Sequence, residues 1–382
     1  MYATQKQPYV NSVVSCFSYK SFKGFAVFII VLWLIPVIAV SQTTSAKKDQ
    51  GLIQLSLNEN PYGPSPAVAP AIKKEIANIA RYTGQEGDEL IAAIASHEGV
   101  DKDQIIPGEI LELLGVYLGL KEGQGSEFIY TVPGYPALVD AAARVGGVVI
   151  SVPLNDGLEN DLPAIASKIG PKTRAIFLVN PHNPSGTVNE DKQFHEFLHE
   201  ASQRALVIVD EAYLEFSDNF TLRTAVKNIK AGDNVIVFRT FAKAYGLAGL
   251  SIGYAVAPKA LADYLKKQGL GGLHDLNRLS IAAAQASLAD KNYIPLVHDK
   301  VATERTKWNV ILDNLHLKHT DSQANFVYFD IKKPYAEVAA KFKENGITIG
   351  RSFAPYNTWV RITIGLPEEN IKAQGITRQI VQ

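Results

Sequence analysis

Val235-Ile236-Val237-Phe238-Arg239-Thr240-Phe241-Ala242-Lys243-Ala244-Tyr245-Gly246-Leu247-Ala248-Gly249-Leu250 is the stretch on which the reading of this chain turns. Its first four residues are apolar and mostly β-branched, which suits a strand covered on both faces. The next residues are polar and end in a glycine-rich turn that holds one lysine. Two other strand-like runs end in the same abrupt way. Ala175–Val179 runs into Asn180-Pro181-His182-Asn183-Pro184-Ser185-Gly186-Thr187, and Leu206–Val209 runs into Asp210-Glu211-Ala212-Tyr213. In an open parallel sheet, ligands sit at the carboxyl ends of the strands. These three ends are therefore where chemistry is expected.

Short apolar runs recur at Gln104–Ile106, Glu127–Val132, Val148–Val152, Ala175–Val179, Leu206–Val209, Asn234–Phe238 and Ser251–Ala257. Helix-like segments lie between most of them, such as Leu111–Leu120 and Ala137–Val145. This alternation predicts an α/β fold with a mostly parallel, seven-stranded sheet. Beyond about residue 290 the pattern changes. A long charged helix, Tyr293–Leu315, precedes strands at Asn325–Asp330, Ile347–Gly350 and Trp359–Ile364, with a helix at Tyr335–Glu344. That describes a small α+β domain at 290–382, following an arm at 47–70 and a large domain at 71–289.

A chain of 382 residues is long enough for such a pair of domains. Lys+Arg and Asp+Glu are both 38, so no global field favours nucleic acid or an anionic membrane. The single cysteine is Cys16, so the body has no disulfide framework and no thiolate nucleophile. The eight histidines show no metal-ligand spacing, and no metal is expected. The first 46 residues differ from the rest. Lys6, Lys20 and Lys23 precede an uncharged apolar run from Gly24 to Val40, and a small polar stretch follows with Thr44-Ser45-Ala46 as a candidate cleavage site. This is the layout of a secretory signal, or of an uncleaved membrane anchor. It points to export or anchoring, and to a cytoplasmic protein if the segment is not functional.

Each strand end has an ordinary explanation by itself. Asn-Pro and Pro-Ser-Gly form turns, and an aspartate at a strand end caps the following helix. All three together, in this order on one sheet, call for another. The three segments resemble the signature of the fold-type I pyridoxal-phosphate (PLP) enzymes of aminotransferase class I and II. Leu55-Ser56-Leu57-Asn58-Glu59-Asn60-Pro61-Tyr62-Gly63-Pro64-Ser65 is similar to the N-terminal arm of histidinol-phosphate aminotransferases, as is Arg81-Tyr82 followed by Glu89-Leu90. The resemblance runs from about residue 50 to the end.

The resemblance implies a PLP cofactor and transfer of an amino group between an amino acid and a 2-oxo acid. Lys243 would form the Schiff base and act as the catalytic amine. Asp210 would keep the ring nitrogen protonated. Asn183 and Tyr213 would donate to the ring oxygen, and Tyr135 would stack on the ring face. Arg361 would hold the substrate α-carboxylate. Arg351 is a second candidate for the substrate, with Asn58 and Tyr62 closing over it from the arm. Tyr82 would reach the cofactor phosphate of a second copy, which implies a homodimer with shared active sites.

The phosphate end departs from the family pattern. Gln104-Ile105-Ile106 runs directly into Pro107-Gly108-Glu109, which shortens the loop and puts an anion where a dianion belongs. Ser251 stands where the family usually has arginine. Thr240, Ser251, Gly108 and Tyr82 remain as phosphate contacts, and weaker retention of PLP is expected. Two other readings stay open: another PLP reaction, such as α-decarboxylation or β-elimination, and a degenerate PLP-binding protein.

Overall fold

The structure is a computed structural model that describes residues 51–121, 123–272 and 276–382. The segment read as a signal or anchor lies outside the described residues. Eight strands come first along the chain: β1 Ile53–Leu55, β2 Ile105–Pro107, β3 Glu127–Val132, β4 Val148–Pro153, β5 Thr173–Val179, β6 Leu206–Asp210, β7 Val235–Thr240 and β8 Gly253–Val256. Seven of them form one sheet in the order β2-β8-β7-β6-β5-β3-β4. Neighbours from β4 through β7 are parallel, and β8 runs antiparallel to both β7 and β2.

The continuous apolar runs are explained by what covers them. Along β5 and β6, alternate residues face opposite sides, as the pleat requires. Ile176, Leu178, Val207 and Val209 pack with Leu90, Ile94, Phe194 and Leu198. Ala175, Phe177, Val179, Leu206 and Ile208 pack with Leu114, Leu118 and Leu138. Both faces are dry, so neither can be polar. The helices Leu111–Lys121 and Ala137–Ala143 lie close together at Gly115, where an added Cβ would fall 2.2 Å from the Leu138 carbonyl oxygen. In register, Val179, Asp210 and Phe238 lie side by side at the carboxyl ends of β5, β6 and β7.

The remaining strands are β9 Phe326–Asp330, β10 Ile347–Ile349 and β11 Trp359–Thr363. β9 and β11 pair antiparallel around a cluster that includes Trp308, Phe329, Phe342 and Ile362. β10 pairs in parallel with β1, residue for residue from Ile53↔Ile347 to Leu55↔Ile349. The arm therefore begins as a strand, which the sequence reading did not include. Three residues are too short for an alternating pattern to show.

Arg239 follows Phe238 on β7 and is only 2% exposed. Its guanidinium meets Glu211 at 2.8 Å, Glu215 at 3.4 Å and Glu98 at 3.8 Å, and it lies 4.5 Å from the Phe220 ring. Burial, followed by the opposing pull of Arg239, leaves the Glu215 carboxyl pushed up to about 7. Such a cluster fixes the loops that follow β6 and β7, because no member can leave without stranding the others. Replacement of Arg239 by alanine should lower unfolding stability by about 3–5 kcal/mol, read from urea midpoints. A loss below about 1 kcal/mol would show that the carboxylates relax into water.

Candidate active site

Lys243 sits in the turn after β7 and is half-buried. Its Nζ donates to the Leu57 carbonyl of the arm at 3.0 Å and lies 5.9 Å from the Tyr213 ring centre. Asp210 ends β6 and is 7% exposed. Its Oδ1 accepts from the Ala212 N–H at 3.0 Å, and no basic side chain pairs with it among the described residues. Desolvation pushes the Asp210 carboxyl up to about 7, against that hydrogen bond, with the nearby Glu109 charge adding to the rise. Lys243 and Asp210 line one cavity of about 570 Å³, with Asn183, Tyr213, Tyr135, Thr240 and Ser251. A larger cavity, about 680 Å³, lies along Phe220, Leu288 and Ile294; it is mostly apolar and holds neither Lys243 nor Asp210.

A hydrogen-bonded chain forms one side of the site. The Tyr213 hydroxyl oxygen accepts from Asn58 Nδ2 at 3.1 Å and from Asn183 Nδ2 at 3.3 Å. Its own proton is left to donate elsewhere. The Tyr213 ring meets Phe326 edge to face at 5.2 Å. Asn183 Oδ1 accepts from Arg361 at 2.5 Å, and a second Arg361 nitrogen donates to the Ser56 carbonyl at 2.8 Å. Arg361 Nε has no hydrogen-bond partner among the described residues. Burial lowers the Arg361 pKa. Asn58 holds a left-handed backbone, φ 56°, and its N–H donates to Thr363 Oγ1 at 3.0 Å. One arm segment thus ties together Lys243, Tyr213 and Arg361.

Other expected residues fall differently. Tyr135 is 43% exposed at the cavity wall, and desolvation, then the Asp210 charge, pushes its hydroxyl up to about 12. Arg351 is exposed, stacks at 4.2 Å on Phe353 and reaches the Gly134 carbonyl at 3.4 Å. The Phe353 ring is also 5.2 Å from Arg361, so the two arginines share it. Tyr62 does not line the cavity, and Lys300 Nζ lies 4.6 Å from its ring centre. Tyr82 is 87% exposed and does not line the cavity. Gly108 is buried, with φ 111° and its N–H donating to the Gly253 carbonyl at 2.8 Å. It acts on the neighbouring strand and does not line the cavity. The Ser56 and Leu57 carbonyls and Thr363 are new to the site. Backbone carbonyls carry no residue-type signal, and one threonine in a buried strand looks like any other.

At the other side of the cavity, Thr240 Oγ1 and Glu109 Oε1 lie 2.6 Å apart. Glu109 reaches solvent through the open cavity but is otherwise enclosed, and desolvation raises its pKa against the hydrogen bond from Thr240 and the charge of Lys243.

A mostly parallel sheet with a lysine, an aspartate and an asparagine at three strand ends defines an aminotransferase-type site. Residues 50–374 match the family model of aminotransferase class I and II, and the chain belongs to that family. It is 34% identical to a histidinol-phosphate aminotransferase of Limosilactobacillus fermentum, over 90% of this chain and 94% of that protein. It is 32% identical to an aromatic amino acid aminotransferase of Cutibacterium acnes, over 88% of this chain and 95% of that protein. The crystal structure of histidinol-phosphate aminotransferase from Sinorhizobium meliloti, in complex with pyridoxal-5'-phosphate, superposes with a TM-score of 0.78 at 29% identity, covering 86% of this chain and 90% of that one.

The Asp210 shift has a measurable consequence. Its pKa rises from 3.8 to about 7 on folding, so the folded protein keeps a proton that the unfolded chain releases. Stability linked to Asp210 is full below pH 3.8, falls as pH rises toward 7 and is level above. In cofactor-free protein, Asp210→Asn should remove about 2–4 kcal/mol of this fall. Glu211 and Glu215 are shifted the same way, so the comparison is of denaturation midpoints against pH for wild type and variant. Parallel curves would show that Asp210 ionises freely in the folded state.

Proposed function

We propose that this chain is a PLP-dependent aminotransferase that moves an amino group between an amino acid and a 2-oxo acid. One observation carries the reading: Asp210, buried and without a basic partner among the described residues, faces the same cavity as the Lys243 amine. A buried carboxyl in that condition fits a cationic ring nitrogen, because an added positive partner removes its desolvation penalty. The unpaired Arg361 Nε fits a carboxylate in the same way. The residues present therefore fit the ring, the aldehyde and an amino-acid substrate.

When bound, PLP supplies an aldehyde that captures the amino group and a pyridine ring that draws electrons from the α-carbon. Lys243 would hold the aldehyde through its amine, and a free amine there would carry a proton at the substrate α-carbon. Asp210 would hold a proton on the ring nitrogen. Tyr213 has accepted two hydrogen bonds already, so its O–H and the second Asn183 amide proton are free to donate to the ring oxygen. Arg361 spends one N–H on Asn183 and one on Ser56, which leaves three donors for the α-carboxylate. Tyr135 would close the ring face, and Arg351, which reaches the Gly134 carbonyl, would serve the substrate side chain.

The amino donor is of the histidinol-phosphate or aromatic amino-acid type, supported by the two kinds of relative. We also read the chain as an arm (47–70), a large cofactor-binding domain (71–289) and a small domain (290–382). The separate sheets support this division, and the apolar cluster around Trp308 joins the parts through Leu55, Tyr213, Phe216 and Ala244. A homodimer is part of the reading, with exposed Tyr82 reaching the site of the second copy.

Mixing PLP-loaded protein with a panel of amino acids tests the function. Conversion of the cofactor to its amine form, with release of a 2-oxo acid, is expected for aromatic amino acids or histidinol phosphate. Release of CO₂ or pyruvate with the cofactor unchanged would overturn transamination. Arg361→Ala should lower kcat/KM about 100-fold or more for every α-amino acid, chiefly through KM. An unchanged KM would place the carboxylate elsewhere.

A further inference from the structure

The ring substituents set which wall of the cavity each one faces. With the ring nitrogen at Asp210, the aldehyde at Lys243 and the ring oxygen at Tyr213 and Asn183, the 5′ substituent is directed to the wall left over. The remaining polar lining includes Glu109, Glu112, Thr240 and Ser251. A phosphate dianion there needs cations or free donors. The cavity lining offers two cationic side chains, Lys243 and Arg239. Lys243 is committed to the aldehyde, and the Arg239 guanidinium is 1% exposed and held by Glu98, Glu211 and Glu215. The hydroxyl of Thr240 is already bonded to Glu109 at 2.6 Å.

Glu109 is built into this position. Gly253 makes room for it: an added Cβ would come 2.9 Å from Glu109 Oε1 and 3.0 Å from its Cδ. The same Cβ would come 2.7 Å from the Arg239 carbonyl oxygen, so the strand accepts only glycine here. Glu109 also stands two residues before the helix that begins at Leu111, at the pole that attracts anions. A carboxylate already holds the place that a phosphate would take.

Resting on the PLP-type reading of this site, we propose that Glu109 makes the 5′ end select a hydrogen-bond donor, so that the chain accepts unphosphorylated pyridoxal at least as readily as PLP. The 5′-hydroxymethyl group of pyridoxal donates to Glu109, whereas the phosphate of PLP meets it as a like charge. The condensation is common to both aldehydes. Lys243 nitrogen bonds to the aldehyde carbon, and the aldehyde oxygen leaves as water with two amine protons.

The test is a spectrophotometric titration of the full-length protein with PLP and, separately, with pyridoxal. Wild type, Glu109→Gln, Ser251→Arg and the double variant are compared, with Lys243→Ala as control. Wild type should bind pyridoxal at least as tightly as PLP. Glu109→Gln should tighten PLP about tenfold, and the double variant about 100-fold, through removal of a like charge and gain of an ion pair. Pyridoxal binding should weaken by about tenfold or less in Glu109→Gln, through loss of the charged acceptor, and circular dichroism reports that each variant is folded. A wild-type preference for PLP of about threefold or more, or a ratio that Glu109→Gln leaves unchanged, overturns the inference and leaves the aminotransferase reading standing. Absence of any Lys243-dependent absorbance change with either aldehyde overturns both.

Discussion

A carboxyl group kept from water without an ion pair among the described residues is the constraint around which this site is organised. Asp210 ends a strand that is buried along its whole length, and it cannot turn outward without breaking that strand. Its proton affinity is raised by desolvation. The protein holds this unfavourable state because the arms of the site around it are independently fixed. Arg239 clamps Glu211 and Glu215, the residues that follow Asp210, into the core. A ligand with a basic ring nitrogen offsets the desolvation of this carboxyl.

The opposite side of the cavity is held by a chain of donors and acceptors running from Asn58 through Tyr213 and Asn183 to Arg361. Four parts of the sequence meet there, and the arm joins them through Leu57 and Ser56 carbonyls. The arm is therefore a wall of the site and not a loose flap. Its pairing through β1 to β10 shows why: a short strand gives the segment a fixed register beside β11, which carries Arg361. Glu109 and Thr240 complete the cavity with a polarity opposite to that of a phosphate cup.

Much of this was legible in the residues. The seven-stranded sheet follows from apolar runs that admit no polar face, and Glu127–Val132 and the helix Tyr335–Glu344 lie where the pattern puts them. Lys243, Asp210, Asn183 and Tyr213 stand at strand ends, where a polar residue after a buried run is conspicuous. Less was visible where function depends on backbone. The carbonyls of Ser56 and Leu57 have no side-chain signature, and three residues of β1 show no period. The resemblance implies roles in the site for Tyr62 and Tyr82, yet in one copy of the chain Tyr62 packs under Lys300 and Tyr82 faces solvent. Surface tyrosines gain a role only from what covers them, which local sequence does not carry.

The central claim is that Lys243 and Asp210 jointly receive an aldehyde-bearing pyridine ring. Borohydride reduction of protein incubated with PLP, followed by peptide mass mapping, addresses it most directly. The account predicts one pyridoxyl adduct, on Lys243, that is strongly diminished in Asp210→Ala. An adduct spread over surface lysines, or one on Lys243 that is indifferent to Asp210, would contradict it.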